Sequence, residues 1–124
     1  MLLAAQEARK RAYAPYSGYL VGAAVQAESG VIYTGCNVEN ASYGLTVCAE
    51  RTAIFAAAAA GERRITGLAV VTEADEPGWP CGACLQVIQE FAAVPAMPIV
   101  VANTSGRRSE TTFGELFPHP FRLP

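Results

Sequence analysis

The sequence predicts an α/β fold, a three-layer αβα sandwich in which helices cover both faces of a mixed sheet of about five strands. Near the amino terminus, two apolar runs at residues 20–27 and 31–34 are spaced as in a hairpin. Further along, helical runs alternate with short β-branched runs at 68–71 and 99–101, as is typical of strands buried on both faces. With 124 residues, 52% of them hydrophobic, the chain is long enough for one domain over residues 1–124.

The first predicted elements are a helix and a hairpin. Residues 1–12 begin apolar and continue with charged side chains, which predicts a surface helix that ends at Ala14-Pro15-Tyr16-Ser17-Gly18. The strand over 20–27 then turns at Glu28-Ser29-Gly30 into the strand over 31–34. Residues 37–45 form a polar loop that leads to the next helix.

Two further helices each begin at a cysteine motif. The Ala-rich run from Cys48 to Ala60 predicts a buried helix with Gly61 at its carboxyl-terminal cap. Pro80-Cys81-Gly82-Ala83-Cys84 begins the second helix, whose apolar residues 85–93 end before Pro95. The remaining predicted elements are the strand at 68–71, the strand at 99–101, a turn at 103–106, a weak strand at 107–111 and a short helix at 113–117.

Cys48, Cys81 and Cys84 form a candidate metal site where these two helices begin. Cysteines three residues apart on one helical turn face the same way, so their sulfurs can share one ion. Three thiolates leave a fourth tetrahedral position open, as in a catalytic zinc site. Zinc lowers the pKa of a bound water towards about 7, and Glu50 is close enough in sequence to move its protons. Because three thiolates exceed the charge of Zn²⁺, Arg51 is a candidate for charge compensation.

Cys48-Ala49-Glu50, taken with Pro80-Cys81-Gly82-Ala83-Cys84, resembles the zinc-dependent nucleoside deaminases. Tyr16-Ser17-Gly18-Tyr19-Leu20-Val21-Gly22-Ala23-Ala24 and Gly35-Cys36-Asn37-Val38-Glu39-Asn40-Ala41-Ser42-Tyr43 are similar to the small homotetrameric cytidine deaminases in particular. The resemblance covers the chain from Tyr13 to about Phe121. It implies the layered αβα fold, one Zn²⁺ per subunit, and hydrolysis of cytidine and deoxycytidine to uridine and deoxyuridine with release of ammonia, in pyrimidine salvage.

The resemblance also implies which residues contact the nucleoside within one subunit. Asn37 and Glu39 match a pair that hydrogen-bonds the ribose 3′-hydroxyl, and a buried carboxylate there would discriminate against analogues that lack it. The backbone of Ala49 and the side chain of Glu50 match groups that read the edge of the base. Tyr19 stands where relatives usually have a phenylalanine that lines the sugar and base.

Other matched positions imply contacts between subunits. Phe121 matches an aromatic residue that stacks on the base in a neighbouring subunit. Ala41 and Tyr43 match positions that reach the 5′-hydroxyl of a neighbour's substrate. These matches imply a homotetramer whose active sites are completed by neighbouring subunits.

The chain departs from the family at Leu85, where relatives commonly carry an arginine. Charge compensation is therefore expected to rest more heavily on Arg51.

The composition of the chain indicates which kind of ligand and which cellular compartment to expect. A net charge of −2 and a pI near 5.3 argue against a nucleic-acid polymer and favour a small, nearly neutral ligand. Residues 1–12 lack the features of a signal peptide, and no apolar run is long enough for a membrane span, so a cytoplasmic protein is expected. Four cysteines in such a chain favour metal binding or reactivity over disulfides, and Cys36 is expected to be a small buried residue.

Alternatives remain open at this point. A deaminase of the same superfamily could act on a related aminopyrimidine nucleoside such as blasticidin S. A non-catalytic zinc or thiol-redox module would also use the cysteines, because Trp79-Pro80-Cys81-Gly82-Ala83-Cys84 is similar to thioredoxin-like sites. Tyr19 and Phe121 could be packing residues alone. His119, between two prolines, is expected to be exposed rather than a zinc ligand.

Overall fold

The computed structural model describes residues 1–124 and contains one mixed five-stranded sheet with the strand order β2-β1-β3-β4-β5. This architecture confirms the predicted fold class. In chain order the elements are α1 (Leu2–Arg9), β1 (Gly22–Ala27), β2 (Ile32–Cys36), α2 (Ala49–Ala59), β3 (Ile65–Thr72), α3 (Gly82–Phe91), β4 (Pro98–Asn103), β5 (Arg108–Thr112) and α4 (Phe113–Leu116).

The sheet contains a single parallel pair, and this pair determines where loops meet. β1 pairs antiparallel with β2 and with β3, and β4 pairs antiparallel with β5. β3 and β4 run parallel, with α3 in the crossover between them. Their last residues, Thr72 and Asn103, are partners in the register. The loops that follow these strands therefore begin at the same end of the sheet, beyond the carboxyl ends of the parallel strands. Binding sites of α/β proteins commonly form there.

Helices cover both faces of the sheet, as the sequence predicts. β3 shows why, because its alternate side chains point to opposite faces. Leu68 and Val70 belong to the larger buried cluster, which also includes residues of α2 and α3. Ala69 and Val71 belong to a smaller cluster with Ala5 of α1. The continuous apolar run of this strand thus reflects burial on both sides.

Close packing at Gly35 fixes α2 against the edge strand β2. A Cβ atom at this position would lie 2.3 Å from the backbone nitrogen of Ala53, so only glycine fits. The Thr52 hydroxyl also bridges the two elements, because it lies 2.8 Å from the Cys36 carbonyl oxygen and 2.9 Å from that of Ala49. The first turn of α2 is therefore held rigidly on the sheet. At the other end, Gly61 has the positive φ of +97° expected of its predicted capping role.

Two details differ from the sequence-based expectations. The amino-terminal helix is shorter than predicted. It lies at the surface, as expected, but its buried residues Ala5 and Ala8 form a face that packs on the sheet. Their small side chains let α1 approach β1 closely, which the charge pattern of residues 1–12 does not reveal. Cys36 is only partly buried, because it lies at the end of edge strand β2. None of the helices combines the length and apolar character that crossing a membrane requires.

Candidate active site

A cavity of about 300 Å³ lies at the start of α2, beside the edge where β3 ends. Its walls combine apolar side chains with a few polar groups, as is usual for sites that bind small molecules. It is lined by Ser17, Tyr19, Val21, Asn37, Glu39, Thr46, Cys48, Ala49, Glu50, Val70, Thr72, Gly78, Trp79 and Cys81.

Three cysteine side chains meet at this end of the molecule, as the sequence predicts. Cys48 is the N-cap of α2, Cys81 is the N-cap of α3, and Cys84 lies in the first turn of α3. Their sulfur atoms all lie within 4.8 Å of one another. Tetrahedral zinc with Zn–S bonds of about 2.3 Å would hold its sulfurs about 3.8 Å apart. The donor set and its spacing therefore fit Zn²⁺ with one coordination position left for another ligand.

The thiols of this cluster are electrostatically coupled to one another and to Arg51. A hydrogen bond from Cys84, and next the Arg51 guanidinium, lower the pKa of Cys48 to about 5. The Arg51 Nη2 atom lies 3.3 Å from the Cys48 sulfur, and this hydrogen bond raises the pKa of Arg51. The Cys48 partner and burial raise the pKa of Cys84. A divalent ion bound by the three sulfurs would favour the ionised form of the thiols.

Glu50 presents a buried carboxyl group to the same cavity. It is the second residue of α2, two residues after Cys48, and only 6% of its surface is exposed. Burial raises the pKa of Glu50 to about 6. A carboxyl group in this environment can bind and release a proton near neutral pH.

Asn37 is buried in the cavity wall and holds the chain before β1. Its Oδ1 accepts from the Val21 amide at 2.9 Å, and its Nδ2 donates to the Tyr19 carbonyl at 2.8 Å. These bonds orient the carboxamide and leave one N–H of Nδ2 without a protein partner among its hydrogen bonds. Asn37 therefore both shapes the cavity and retains a donor for a ligand.

Glu39 is buried nearby and is bound by the turn at residues 16–17. Its Oε1 accepts from the backbone amides of Tyr16 at 2.9 Å and Ser17 at 3.1 Å, and its Oε2 accepts from the Ser17 hydroxyl. The Ser17 hydroxyl, followed by the two amides, lowers the pKa of Glu39 despite the opposing effect of burial. Glu39 is therefore a carboxylate held in a fixed orientation. Its Oε2 accepts from the Ser17 hydroxyl, a partner that a ligand hydroxyl could replace.

Comparison with known proteins identifies the family. Residues 1–101 match the family model described as the cytidine and deoxycytidylate deaminase zinc-binding region. The chain belongs to this deaminase family. A cytidine deaminase of Sporosarcina psychrophila is 48% identical over 121 residues, which are 98% of this chain and 88% of the relative. A second cytidine deaminase, from Halalkalibacterium halodurans, is 45% identical over 93% of this chain and 86% of its own length.

Solved structures of the deaminase family share the fold of this chain. A cytidine deaminase from Burkholderia pseudomallei superposes with a TM-score of 0.91 at 49% identity, over 97% of this chain and 95% of that one. A cytidine deaminase from Mycobacterium tuberculosis gives a TM-score of 0.83 at 36% identity, over 99% of this chain and 95% of the other. The layered α/β fold and the zinc-binding region implied by the sequence motifs are thereby confirmed.

The side chain that follows Cys84 on α3 contributes to the core. Leu85, the position expected to differ from relatives, packs in the main buried cluster. The cation whose hydrogen bond reaches the cluster is Arg51, whose Nε atom is buried without a hydrogen-bond partner. Arg51 is therefore the cationic side chain that contacts the cysteine cluster of this deaminase-family chain.

The other predicted site residues divide into two groups. Tyr19 and Ala49 line the cavity, as expected of residues near a ligand. Tyr43 is 76% exposed and Phe121 is 67% exposed, and neither lines the cavity of its own chain. Ala41 is also exposed. Within a single chain, the structure therefore does not bring these three residues to the deaminase-family site.

Seven residues that line the cavity are not predicted from the sequence as parts of a nucleoside site: Ser17, Val21, Thr46, Val70, Thr72, Gly78 and Trp79. Trp79 borders the cavity with 43% of its surface exposed, and Thr72 lines it from the end of β3. The position of Trp79 directly before Pro80-Cys81 is a sequence signal that this residue lies near the cysteine cluster. The same motif is also similar to thioredoxin-like sites, so it does not by itself indicate a nucleoside contact. Thr72 carries no local signal, because its place at the site depends on the sheet.

The lowered pKa of Glu39 predicts how this deaminase-family chain responds to acid. Because the folded-state pKa lies below the ordinary value of 4.5, the carboxylate stabilises the fold above that pH. This stabilisation is lost as the pH falls through the lower folded-state value. We expect Glu39→Gln to unfold at a lower temperature than wild type at neutral pH, but to lose less stability as the pH falls from neutral to below 4.5.

Thermal unfolding followed by circular dichroism across that range tests the prediction. Glu90→Gln, on an exposed part of α3, removes the same charge away from the site and serves as the matched control. An identical acid dependence in wild type and Glu39→Gln would show that the Ser17 contacts do not stabilise the charged form.

Proposed function

We propose that the chain is a zinc-dependent deaminase that hydrolyses cytidine and deoxycytidine. Water supplies the oxygen that replaces the amino group of the base, so cytidine and water give uridine and ammonia. The observation that carries the proposal is a cluster of three cysteine sulfurs beside a cavity of about 300 Å³, which Cys48, Cys81 and the buried Glu50 carboxyl line. Relatives named cytidine deaminase, which are up to 48% identical, support this substrate class.

Each member of the site has a proposed role. Cys48, Cys81 and Cys84 hold Zn²⁺, which when bound makes a coordinated water acidic enough to ionise near neutral pH. The Glu50 carboxylate accepts a proton at one oxygen and delivers it to the base, so that the amino group leaves as ammonia. Burial suits Glu50 to this shuttle, because its raised pKa makes both proton transfers accessible near neutral pH.

The nucleoside is held by groups on three segments. Asn37 and Glu39 bind the ribose 3′-hydroxyl, since a donor on Nδ2 and an oriented carboxylate suit a hydroxyl that both accepts and donates. The Ala49 backbone and the Glu50 side chain bind the edge of the base. Tyr19 packs against the sugar and base from the cavity wall.

Arg51 is proposed to stabilise the thiolate charge of the cluster. We expect Arg51→Gln to lower kcat/KM for cytidine at neutral pH by roughly 10- to 100-fold, the value of one charge-assisted hydrogen bond. Steady-state kinetics at matched zinc content measures the effect. Arg51→Lys keeps the positive charge and is expected to lose less. Equal activity of wild type and Arg51→Gln would remove this role from Arg51.

We further infer that the chain assembles as a homotetramer with shared active sites. Phe121 would stack on the base bound by a neighbouring subunit, and Tyr43 and Ala41 would approach a neighbour's 5′-hydroxyl. The support is physical, because Tyr43, Leu45 and Phe121 are large apolar side chains that one chain leaves mostly exposed. Burying them between subunits would be favourable.

The wider setting follows from the proposed reaction. Residues 1–124 are proposed to form one domain, since a single sheet links all the strands. Four cysteines without disulfides favour the cytoplasm, where thiols stay reduced. The partner is a small nucleoside rather than a nucleic-acid polymer, in keeping with the net charge of −2. Conversion of cytidine to uridine would serve pyrimidine salvage.

A substrate panel tests the proposed specificity. Zinc-loaded protein is incubated separately with cytidine, deoxycytidine, 3′-deoxycytidine and blasticidin S, and the products are separated chromatographically. We expect turnover of the first two and a loss of roughly 10- to 100-fold in kcat/KM without the 3′-hydroxyl, as expected for a hydroxyl that pairs with a charged group. Preferred turnover of blasticidin S would replace the proposed substrate with the alternative aminopyrimidine nucleoside.

A further inference from the structure

The segment between β3 and α3, residues 73–80 and here called the 73–80 loop, connects the sheet to the site. Its second half supplies Gly78 and Trp79 to the cavity wall, and Cys81 follows directly. The position of the loop therefore affects the shape of the cavity. A loop of this length with two cavity residues needs anchoring if the cavity is to keep one shape.

Asn103 is buried at the end of β4 and uses its carboxamide to anchor this loop. Its Nδ2 donates to the carbonyl oxygens of Ala74 at 3.2 Å and Asp75 at 3.1 Å. Its Oδ1 accepts from the amides of Ser105 at 3.0 Å and Arg107 at 2.9 Å, in the turn that follows β4. The carboxamide has two donors and two acceptor sites, so all four are used.

The orientation of this carboxamide is fixed by its partners. Both groups facing Nδ2 are carbonyl oxygens, and both groups facing Oδ1 are amides, so a flipped side chain would lose all four bonds. Because Asn103 is also the register partner of Thr72, its side chain starts beside the point where the loop leaves the sheet. The geometry thus joins the 73–80 loop to the β4–β5 turn through one residue.

Other contacts of the loop are weaker anchors. Arg107 forms an ion pair with Glu76 at 3.0 Å, and Arg9 forms one with Glu73 at 2.9 Å. Both side chains of the Arg107–Glu76 pair are more than half exposed, and exposed ion pairs contribute little to stability. The Arg9–Glu73 pair joins a side chain that is 14% exposed to one that is 55% exposed, and it holds only the first residue of the loop. Asn103 itself is buried, and its carboxamide makes four part-buried hydrogen bonds, so its replacement would break both bonds to the loop at once.

We propose that Asn103 is a positioning residue for the reaction, which acts through the 73–80 loop to place Trp79 and the cavity wall against the nucleoside. It does not touch the reacting atoms itself. The inference rests on the proposed function, because the nucleoside is the ligand that the positioned wall would contact.

Asn103→Asp tests the proposal, because aspartate keeps the shape and both acceptor bonds but cannot donate to Ala74 and Asp75. Trp79 is the only tryptophan of the chain, so its fluorescence reports the loop independently of turnover. In zinc-loaded, folded protein we expect the emission of Asn103→Asp to shift to longer wavelength. We also expect KM for cytidine to rise about tenfold while kcat changes less than about threefold, since misplaced binding groups weaken substrate positioning.

Glu76→Ala is the matched control, because it removes an exposed contact between the same loop and turn, and it should retain wild-type emission and KM. If Asn103→Asp does not fold, Asn103→Ser replaces it, because a serine hydroxyl can still accept from the turn amides but not hold the loop. Wild-type Trp79 emission and KM in the folded variant would overturn the proposal. Unchanged Trp79 emission would overturn the role of Asn103 even if cytidine is not the substrate. Failure of the proposed function would appear differently, because the wild-type protein would then not turn over cytidine.

Discussion

Replacement of Glu50 by glutamine is expected to lower kcat for cytidine by about 10²- to 10⁴-fold, the range of a positioned general acid/base. Glutamine keeps the size of the side chain and much of its hydrogen-bonding capacity, but it cannot take up and release a proton. The effect should fall mainly on kcat, because the cavity and the cysteine cluster keep their geometry. Steady-state kinetics with cytidine, at one measured zinc ion per chain, gives the result.

The control for Glu50→Gln must separate proton transfer from charge and folding. Glu90→Gln removes an exposed carboxylate from α3, away from the cavity lining, and should leave kcat unchanged. The unfolding temperature of Glu50→Gln should not fall below that of wild type, because the variant replaces a buried carboxyl whose ionisation burial disfavours. If Glu50→Gln kept kcat within about threefold of wild type, Glu50 would not be the group that moves protons.

Replacement of Cys84 by serine is expected to remove both zinc and activity. Cys84 is fully buried and lies within 4.8 Å of the other two sulfurs, so it completes the donor set. A serine hydroxyl stays protonated near neutral pH and is a poor zinc ligand. Zinc content should fall from one ion per chain to near zero, and turnover of cytidine should fall to the uncatalysed background.

Elemental analysis and turnover, measured before and after chelation and zinc re-addition, distinguish metal loss from unfolding. Wild type should lose activity with the chelator and regain it with zinc, whereas Cys84→Ser should not regain it. Cys36→Ser is the matched control, because Cys36 is the one cysteine outside the cluster. Stoichiometric zinc in Cys84→Ser would mean that Cys84 is not a required ligand.

The elements that the sequence predicted well are those with strong local signals. The Ala-rich run before Gly61 formed α2, and the proline-cysteine motif began α3, because capping and propensity act within a few residues. The continuous apolar run in β3 predicted burial on both faces, because successive side chains of a strand point to opposite faces of the sheet. The cysteine cluster was predictable because its members lie at helix starts, which α/β topology brings to one edge.

Features that depend on long-range packing were not visible in the sequence. Ala5 and Ala8 do not stand out in the sequence of the amino-terminal helix, and only the structure shows that they form the buried face of α1. Leu85 reads as a departure from the family, yet its orientation towards the core appears only in three dimensions. Asn103 has the sequence signature of a turn residue, whereas its anchoring of the 73–80 loop depends on strand register.

The proposed contacts of Tyr43 and Phe121 fall outside what one chain can display. Both side chains are exposed, and their predicted partners belong to neighbouring subunits. Sequence motifs can imply such contacts only through relatives that share the assembly. Physical reasoning on one chain reaches as far as the apolar area that remains to be covered.

The most direct measurement is the change in ultraviolet absorbance when cytidine is incubated with purified, zinc-loaded protein. We predict loss of the cytidine spectrum, with uridine and ammonia formed in equal amounts and at a rate proportional to protein concentration. Unchanged cytidine in the presence of one bound zinc ion per chain would contradict the proposed function. It would direct attention to another aminopyrimidine nucleoside or to a non-catalytic zinc site.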